Sequence, residues 1–291
     1  MKNTFWLFLL SVMAISCEKT INVQPEIQEP LLVVDGIIED GQPPYVILSK
    51  SINYFSSFSP DVVAASVVRG ANLTLNDGTR TVNLKEYHVP VLGLYTLTYY
   101  STDTTNAALN MLGEQEKTYT LSIGVDNRSY TSTTTIPKLT KTIDSLWHEP
   151  TRFSDTSRVW LMAKITDPPG LGNYIRYYTS TNNGNFLPGD NSVHDDQVVD
   201  GTTYNVTVEQ GKDRNNGEGH RRSFGRGDTV TVKFANIDKA TYDFWRTLEF
   251  GYQSVGNPFA SPVRVLGNVN NGALGAFCGY AVQYISLIIP K

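Results

Sequence analysis

Cys17 is the residue whose chemistry this sequence predicts most directly. It follows a lysine-bearing start, an apolar run over residues 5–15 and the small residue Ser16. A charged start, a short apolar core and a small residue before the cut are typical of an export signal. The apolar run is too short to span a bilayer, which takes about 20 residues. The pattern therefore predicts a signal peptide over residues 1–16 and a thiol on the first residue of the exported chain.

The junction between Ser16 and Cys17 resembles a bacterial lipobox. A lipobox implies cleavage of the Ser16–Cys17 bond and diacylation of the cysteine, with palmitate among the expected chains. Several acyl chains are enough for stable anchoring to a membrane. Residues 17–30 are mostly polar and contain two prolines, so we expect a tether that holds the folded part off the membrane. The alternative is an ordinary secretory signal followed by an incidental cysteine.

Two polar segments of the second half could bind a divalent cation. Asp167 and Asn173 flank a Pro-Pro-Gly turn, and calcium prefers carboxylate and carbonyl oxygens. The densest acidic cluster comprises His194, Asp195, Asp196 and Asp200. Imidazole and carboxylates together can hold other divalent metals. The favoured interpretations are a proline-fixed turn and a solvated loop, so we expect no metal and no other cofactor. Both metal hypotheses stay open.

No catalytic motif stands out along the chain. Cys278 lies in an apolar context, which predicts a buried, inert thiol rather than a nucleophile with a histidine partner. Arg226, Gly227 and Asp228 spell an adhesion tripeptide, but three-residue matches arise by chance and Asp228 opens a strong strand. We therefore predict that the protein is not an enzyme. A catalytic triad assembled by the fold alone stays open.

Several aromatic side chains fall in turn-rich stretches. They are Tyr54, Phe55, Phe58, Tyr99, Tyr100, Tyr174, Tyr177, Tyr178 and Phe186. Exposed aromatic rings can stack on sugars or anchor a partner protein, whereas most tyrosines of a β-sandwich pack in its core. Packing is the favoured interpretation, and the sequence assigns no ligand-binding residue.

The elements that must position these residues are mainly β-strands. Apolar and polar residues alternate in short segments between turn residues, as in residues 71–75, before an Asn-Asp-Gly turn, and residues 159–165. This pattern predicts antiparallel sandwiches of the immunoglobulin or transthyretin type. Weaker strands are expected at residues 197–199 and 204–208, and a glycine-rich loop over residues 268–275.

One helix interrupts the β pattern of the second half. Residues 238–249 combine a capping Asp238 with apolar residues three positions apart. A proline at position 137 suits a domain boundary, because proline cannot donate a ladder hydrogen bond. We therefore predict an all-β chain with an N-terminal β-sandwich domain over residues 31–139. A C-terminal β-rich sandwich domain with one short helix follows over residues 140–291.

Composition narrows the class of protein further. The formal net charge is −4 and there is no basic block, which argues against nucleic acid as a partner. A hydrophobic content of 40% is ample for a folded core. If Cys17 is lipidated, Cys278 has no disulfide partner, so the core must hold the exported protein together.

Seven segments follow one another in a characteristic order behind the signal. They are SCEK (16–19), LVVDGII (32–38), YVILSKS (45–51), GANLTLNDG (70–78), KTYTL (117–121), ITDPPG (165–170) and GNVNNGALGAF (267–277). Their order resembles a family of Bacteroidota lipoproteins known as domain of unknown function 4249. The resemblance implies an outer-membrane lipoprotein, often associated with a TonB-dependent transporter in nutrient uptake. It also implies a sandwich in the N-terminal half, but no activity.

We therefore expect an accessory or binding lipoprotein that is anchored to the outer membrane through the lipid on Cys17. It is expected to act with a TonB-dependent nutrient transporter and without catalysis. The alternatives are a cell-surface adhesion or structural lipoprotein and a hydrolase with an unrecognised site. Glu18 is acidic, but Lys19 and Thr20 follow it, so surface-exposed and periplasm-facing locations both stay open.

Overall fold

The computed structural model describes residues 29–52, 59–91, 95–151, 155–213, 222–255, 257, 261 and 263–291. The predicted signal peptide over residues 1–16, Cys17 and residues 18–28 of the expected tether lie outside these ranges. No helix within them is long and apolar enough to cross a membrane.

The described chain contains sixteen strands and two helices, which confirms the all-β fold. The strands of the first half are β1 (Leu32–Glu39), β2 (Tyr45–Lys50), β3 (Asn72–Asn76), β4 (Thr81–Asn83), β5 (Lys85–Val91), β6 (Tyr95–Ser101), β7 (Thr118–Val125) and β8 (Arg128–Thr135). The strands of the second half are β9 (Thr142–Pro150), β10 (Arg158–Thr166), β11 (Tyr174–Thr181), β12 (Val193–His194), β13 (Thr203–Val208), β14 (Phe224–Gly225), β15 (Thr229–Ile237) and β16 (Leu274–Ile288). The helices are α1 (Pro60–Ser66) and α2 (Lys239–Ser254).

One eight-stranded sheet, called the large sheet below, contains strands from both halves of the chain. Its order is β12-β11-β15-β16-β1-β2-β6-β5. Strand β16 joins the halves, because it pairs in parallel with β1 and antiparallel with β15. Two four-stranded sheets complete the fold. The first has the order β4-β3-β7-β8, and the second has β10 at its centre, paired with β9, β13 and β14.

Both small sheets cover the same face of the large sheet. Phe277 and Ala281 of β16 belong to the core of the first sandwich, whereas Ile285 and Leu287 pack against the core of the second. Alternate residues of a strand share one face, so the two cores lie side by side along this face. Gly36 of β1 makes room for the pairing, since a Cβ there would lie 2.9 Å from Cδ2 of Phe277.

The first sandwich follows the alternation of its sequence. Strand β7 buries every second residue, as a strand with one core face should. The hairpin between β3 and β4 is closed by Asp77, whose carboxylate accepts hydrogen bonds from the backbone N–H groups of Thr79 and Arg80 at 2.9 Å. Partial burial raises the pKa of Asp77, but these hydrogen bonds outweigh it and lower the pKa to about 2.

Helix α2 covers the opposite face of the large sheet. Asp238 caps the helix by accepting a hydrogen bond from the backbone N–H of Thr241 at 2.8 Å. Trp245 then packs beside Cys278 and Tyr280 of β16, and its indole N–H donates to the Tyr280 hydroxyl at 2.7 Å. The predicted helix over residues 238–249 is confirmed, although it extends to Ser254.

Helix α1 was not predicted, so the expectation of one helix is corrected to two in the described part of the chain. The Ser59 side chain caps α1 through the N–H of Val62 at 3.3 Å, and Pro60 occupies the first helical position. None of its seven residues is buried. Sequence-based prediction of a helix depends on apolar residues that recur on one buried face. Helix α1 has no such face, so its sequence carries no periodic signal.

Two local predictions also need correction, and β5 is among the strands that the sequence did not predict. Residues 197–199 form a turn, and the nearby strand is β12 at Val193–His194. Leu274 and Gly275, which were predicted in a loop, begin β16. Strand β5 was missed because it lies at the edge of the large sheet, where none of its residues is fully buried and the alternation is weak.

The division into domains over residues 31–139 and 140–291 stays a prediction. The strand pairing shows how closely the two segments are joined. Strand β16 belongs to the second segment by sequence, yet it supplies Phe277 and Ala281 to the first core. We therefore describe two sandwiches that share one large sheet.

Candidate functional site

The two polar segments of the second half meet in space, but in a different combination from either metal hypothesis. One carboxylate oxygen each from Asp167, Asp196 and Asp200 lie within 4.8 Å of one another. Asp167 follows β10 directly, whereas Asp196 and Asp200 lie in the connection between β12 and β13. The fold therefore assembles a carboxylate cluster from two loops.

Lys141 supplies a positive charge to this carboxylate cluster. Its ammonium Nζ lies 2.7 Å from Oδ1 of Asp167, and neither side chain has any exposed surface. The contact is an ion pair that is too poorly aligned for a good hydrogen bond. Asn236 fixes the lysine in place, because its side-chain amide bonds both the N–H and the C=O of Lys141, at 3.0 and 2.8 Å.

Backbone N–H groups donate hydrogen bonds to the other carboxylate oxygens of the cluster. Asp196 accepts from the N–H groups of Gly172 and Asn173, both at 2.8 Å. Asp200 accepts from the Gly170 N–H at 2.6 Å. Burial raises the pKa of Asp196, but the backbone donors outweigh it, so its pKa lies below the usual value. The positive charge of Lys141 offsets the negative charge of the carboxylates, as a bound cation would. The geometry therefore favours a structural role, in which the cluster holds the loop after β10 against the β12–β13 connection.

His194 and Asp195 do not join the carboxylate cluster. Asp195 turns towards helix α2, where Oδ2 accepts a hydrogen bond from the Tyr242 hydroxyl at 2.9 Å. His194 lies on edge strand β12, and its ring stacks on Tyr177 with 6.1 Å between centroids and 8° between planes. Both His194 and Asp195 line a cavity inside the second sandwich.

This cavity, called the sandwich cavity below, has a volume of about 350 Å³. Its residues are Ile143, Ile165, Ile175, Tyr177, Asn191, His194, Asp195, Val199, Tyr204, Val206, Thr207, Val208, Glu209, Val232 and Phe234. Aliphatic side chains and one phenylalanine make up most of the floor. The more exposed members, Asn191, His194 and Thr207, mark its mouth. The volume falls at the small end of the range for ligand sites, about 300–1,000 Å³.

Three titrating groups of the cavity, Tyr177, His194 and Tyr204, have shifted pKa values, and burial raises that of Tyr204. Burial raises the pKa of the Tyr177 hydroxyl, and the negative charge of Glu209 raises it further. Part of His194 reaches solvent, yet the packing around its ring lowers its pKa. The positive charges of Arg246 and Lys141 add to this lowering. A neutral imidazole at neutral pH follows, offering one donor and one acceptor.

The other candidate residues have structural explanations. Asp228 of the adhesion-like tripeptide closes a turn, because its carboxylate accepts from the Gly225 N–H at 2.8 Å and from the Asn182 amide at 2.9 Å. Arg226 donates to the Thr156 carbonyl at 2.9 Å. Cys278 is buried, and burial raises the pKa of its thiol to about 12. A thiol with so high a pKa holds almost no thiolate at neutral pH.

Six of the nine aromatic residues singled out above fall into three groups. Of the other three, Tyr174 stacks on Tyr242, Tyr178 lies beside Arg176, and Phe186 meets Tyr284 edge to face. Tyr100 and Tyr177 are buried in the two cores. Tyr99 is half-buried and stacks between Tyr45 and Tyr87, with ring centroids 4.7 and 5.2 Å away. Tyr54, Phe55 and Phe58 lie outside the described residues. In this stack, the Tyr99 ring has a neighbouring ring on each side.

The sequence did not reveal the aliphatic lining of the sandwich cavity or the role of Lys141. Isoleucine and valine on alternate strand positions look the same whether they fill a core or line a space within it. Lys141 falls beside the predicted domain boundary, where nothing in the sequence marks it for burial. Asp167, His194, Asp195 and Asp196 were singled out, but their division between two neighbouring sites needs the fold.

The fold and the site define an all-β protein with two sandwiches on one shared sheet and a mainly apolar cavity in the second. A family model described as a domain of unknown function (DUF4249) matches residues 18–286, so the chain belongs to that family. No curated protein matches the sequence.

Proposed function

We propose that this chain is a lipid-anchored binding protein of the outer membrane that holds a small ligand in its sandwich cavity. It acts without catalysis beside a TonB-dependent nutrient transporter. The observation that carries this proposal is the sandwich cavity, a mainly apolar space with a few polar groups at its mouth. Such spaces are the usual form of small-molecule sites.

The lining of the cavity offers apolar surface to a bound molecule. Burying a matching apolar surface there gains about 25 cal/mol for each Å² removed from water. Larger side chains at Val206 or Val232, which both line the space, would reduce it. A ligand that binds only the folded state also stabilises the fold.

The proposed anchor on Cys17 and the polar tether allow a binding protein to work beside a transporter. Anchoring restricts the protein to the membrane surface, and this raises its effective concentration near a partner without a large interface. The family match begins at residue 18, directly after the proposed lipidated cysteine. We infer that the mature chain starts at Cys17 and that residues 17–30 connect the lipid to β1.

Changing Cys17 to alanine should release the protein from the membrane, because the acyl chains have no other attachment point. Outer membranes of the source cells, solubilised in mild detergent, should yield a TonB-dependent transporter together with the tagged wild-type protein. The Cys17→Ala variant should appear in the soluble fraction without acyl chains, and recovery of the transporter should fall sharply. Mass spectrometry of the N-terminal peptide and of the captured proteins measures both.

Cys278→Ala is the matched control, since it removes the other cysteine, which is buried in the fold. It should keep the lipid, the membrane fraction and the transporter. The anchor is refuted if the wild-type N-terminal peptide carries no lipid. The partnership is refuted if the anchored wild-type protein brings down no transporter.

A further inference from the structure

We propose that Lys141 and Asp167 condense into an intramolecular amide, which joins Nζ of the lysine to Cγ of the aspartate with loss of one water. The ion pair described above is the state before this reaction. The crosslink depends neither on the lipid anchor nor on a ligand in the sandwich cavity. It is carried by the distance between the two groups, their complete burial and the neighbouring carboxylate of Asp196.

The two reacting groups are already in contact. Nζ of Lys141 lies 2.7 Å from Oδ1 of Asp167. A C–O bond of about 1.23 Å then places Nζ at most about 3.9 Å from Cγ, however the carboxylate is turned. Reacting atoms in a near-attack arrangement are roughly 3–3.5 Å apart. Neither Nζ nor Oδ1 makes a well-aligned hydrogen bond in the described part of the chain, so the contact lacks the geometry of a well-formed ion pair.

The fold presents the pair from two neighbouring strand ends. Thr142 opens β9 and pairs with Thr166, the last residue of β10. Lys141 precedes the first of these and Asp167 follows the second. The Asn236 side chain holds the Lys141 backbone through its N–H and its C=O, at 3.0 and 2.8 Å. The amine and the acid are thus held together before they react, which removes much of the entropic cost of the step.

Burial supports the reaction, because a lysine attacks a carbonyl carbon only as the neutral amine. Neither side chain of the pair has any exposed surface. The cost of keeping two charges out of water can exceed their mutual attraction, so the transfer of one proton from Nζ to Oδ1 is accessible there. Tyr204, whose ring centre lies 5.8 Å from Nζ of Lys141, packs against the core of the second sandwich. A site that excludes water also protects the amide from hydrolysis.

Each proton and electron pair of the step has a place. The lone pair of the neutral Nζ attacks Cγ of Asp167. The Gly201 N–H, 3.2 Å from Oδ2 of Asp167, stabilises the negative charge that develops on that oxygen. Asp196 takes a proton from the attacking nitrogen and passes it to the hydroxyl at Oδ1, which leaves as water when its bond to Cγ breaks. The products are one amide and one water, and the reaction consumes no other reagent.

Asp196 is suited to carry this proton. Carboxylate oxygens of Asp196 and Asp200 both lie within 4.8 Å of one of Asp167, but Asp196 is 1% exposed whereas Asp200 is exposed. Burial raises the pKa of Asp196, and its backbone donors lower the pKa by more, so the carboxylate is ionised at neutral pH and can accept a proton.

Peptide mass spectrometry of the full chain, isolated from the membrane fraction and denatured, tests the bond. Trypsin should not cut after Lys141 in the wild type, because an acylated lysine is not a substrate. Residues 139–152 and 165–176 should therefore appear as one branched peptide, lighter by one water than the two peptides together. Fragmentation of this peptide should place the link between Lys141 and Asp167.

The same digest contains a matched control pair. Nζ of Lys239 lies 2.6 Å from Asp243, but this lysine is 67% exposed, so it should stay uncondensed and trypsin should cut after it. Lys141→Arg keeps the positive charge and cannot form the amide, so it should release residues 165–176 as a free peptide. Asp196→Asn should slow formation of the branched peptide after a pulse of synthesis at least about tenfold, whereas Asp200→Asn should leave its rate unchanged.

Each other outcome overturns a stated part of the proposal. Free peptides from the wild type, with cleavage after Lys141, overturn the crosslink and leave the proposed binding function standing. A branched peptide that forms equally fast in the Asp196 variant overturns the assignment of the proton carrier. A link between Lys239 and Asp243 in the same sample would show that burial does not select the reacting pair.

Discussion

Changing Lys141 to methionine should lower the free energy of unfolding by about 3–5 kcal/mol, the cost of breaking a buried ion pair by removing one partner. Lys141 and Asp167 have no exposed side-chain surface, and their charges lie 2.7 Å apart. Without the ammonium, the Asp167 carboxylate remains buried close to those of Asp196 and Asp200. Urea unfolding followed by tryptophan fluorescence measures the loss.

Lys239→Met provides the control for the Lys141 experiment. Lys239 also pairs with an aspartate, Asp243 at 2.6 Å, but it is 67% exposed on α2. Its replacement should leave the unfolding midpoint unchanged within error. Adding Asp167→Asn to Lys141→Met should recover part of the loss, because one buried charge disappears and an acceptor for the Gly201 N–H remains. Equal effects of Lys141→Met and Lys239→Met would show that the buried pair does not hold the loops.

A fragment of residues 29–139 should not fold, and the mature chain should unfold in a single transition. The fragment contains the whole predicted N-terminal domain but lacks β16. Strand β1 loses its parallel partner from Val33 to Glu39, and the first core loses Phe277 and Ala281. An unpaired strand at the edge of an incomplete core also invites aggregation. Circular dichroism and calorimetry measure these outcomes.

The matched control adds the missing strand back. Residues 29–139 joined through a flexible glycine–serine linker to residues 268–284 should regain a cooperative transition, because Asn268 and β16 restore the contacts to β1 and β8. Asn268 normally accepts from the Ser132 hydroxyl and the Phe277 N–H, at 2.7 and 2.9 Å. A folded fragment without β16, or two separate transitions in the mature chain, would show that the sandwiches are independent domains.

The success of strand prediction depended on how each strand is buried. Strands with one buried face, such as β7 and β10, were predicted because core and solvent residues alternate along them. Edge strand β5 and the unburied helix α1 lack this signal. The parallel pairing of β1 with β16 joins positions about 240 residues apart, and no local pattern encodes so distant a partner.

The sequence identified most polar residues of the candidate site but not which of them lie together. The polar residues around position 194 were identified by type, yet His194 stacks on Tyr177, Asp195 bonds Tyr242 of α2 and Asp196 joins Asp167 and Asp200. The path of the backbone after β12 sets these three directions, and no local pattern encodes it. The buried position of Lys141 depends on Asn236, which is 95 residues away. Such a contact is a property of the assembled sheets.

The most direct test of the account is the content of the sandwich cavity in the anchored protein. Three proteins are each isolated from the membrane fraction with the lipid proposed on Cys17. They are the wild type, Val206→Trp, which fills the cavity, and the control Val198→Trp, since Val198 is 94% exposed. After denaturation, the released small molecules are compared by mass spectrometry. The account predicts one small molecule per chain from wild type and Val198→Trp, and none from Val206→Trp. Equal release from all three proteins, or no small molecule from the wild type, would contradict it.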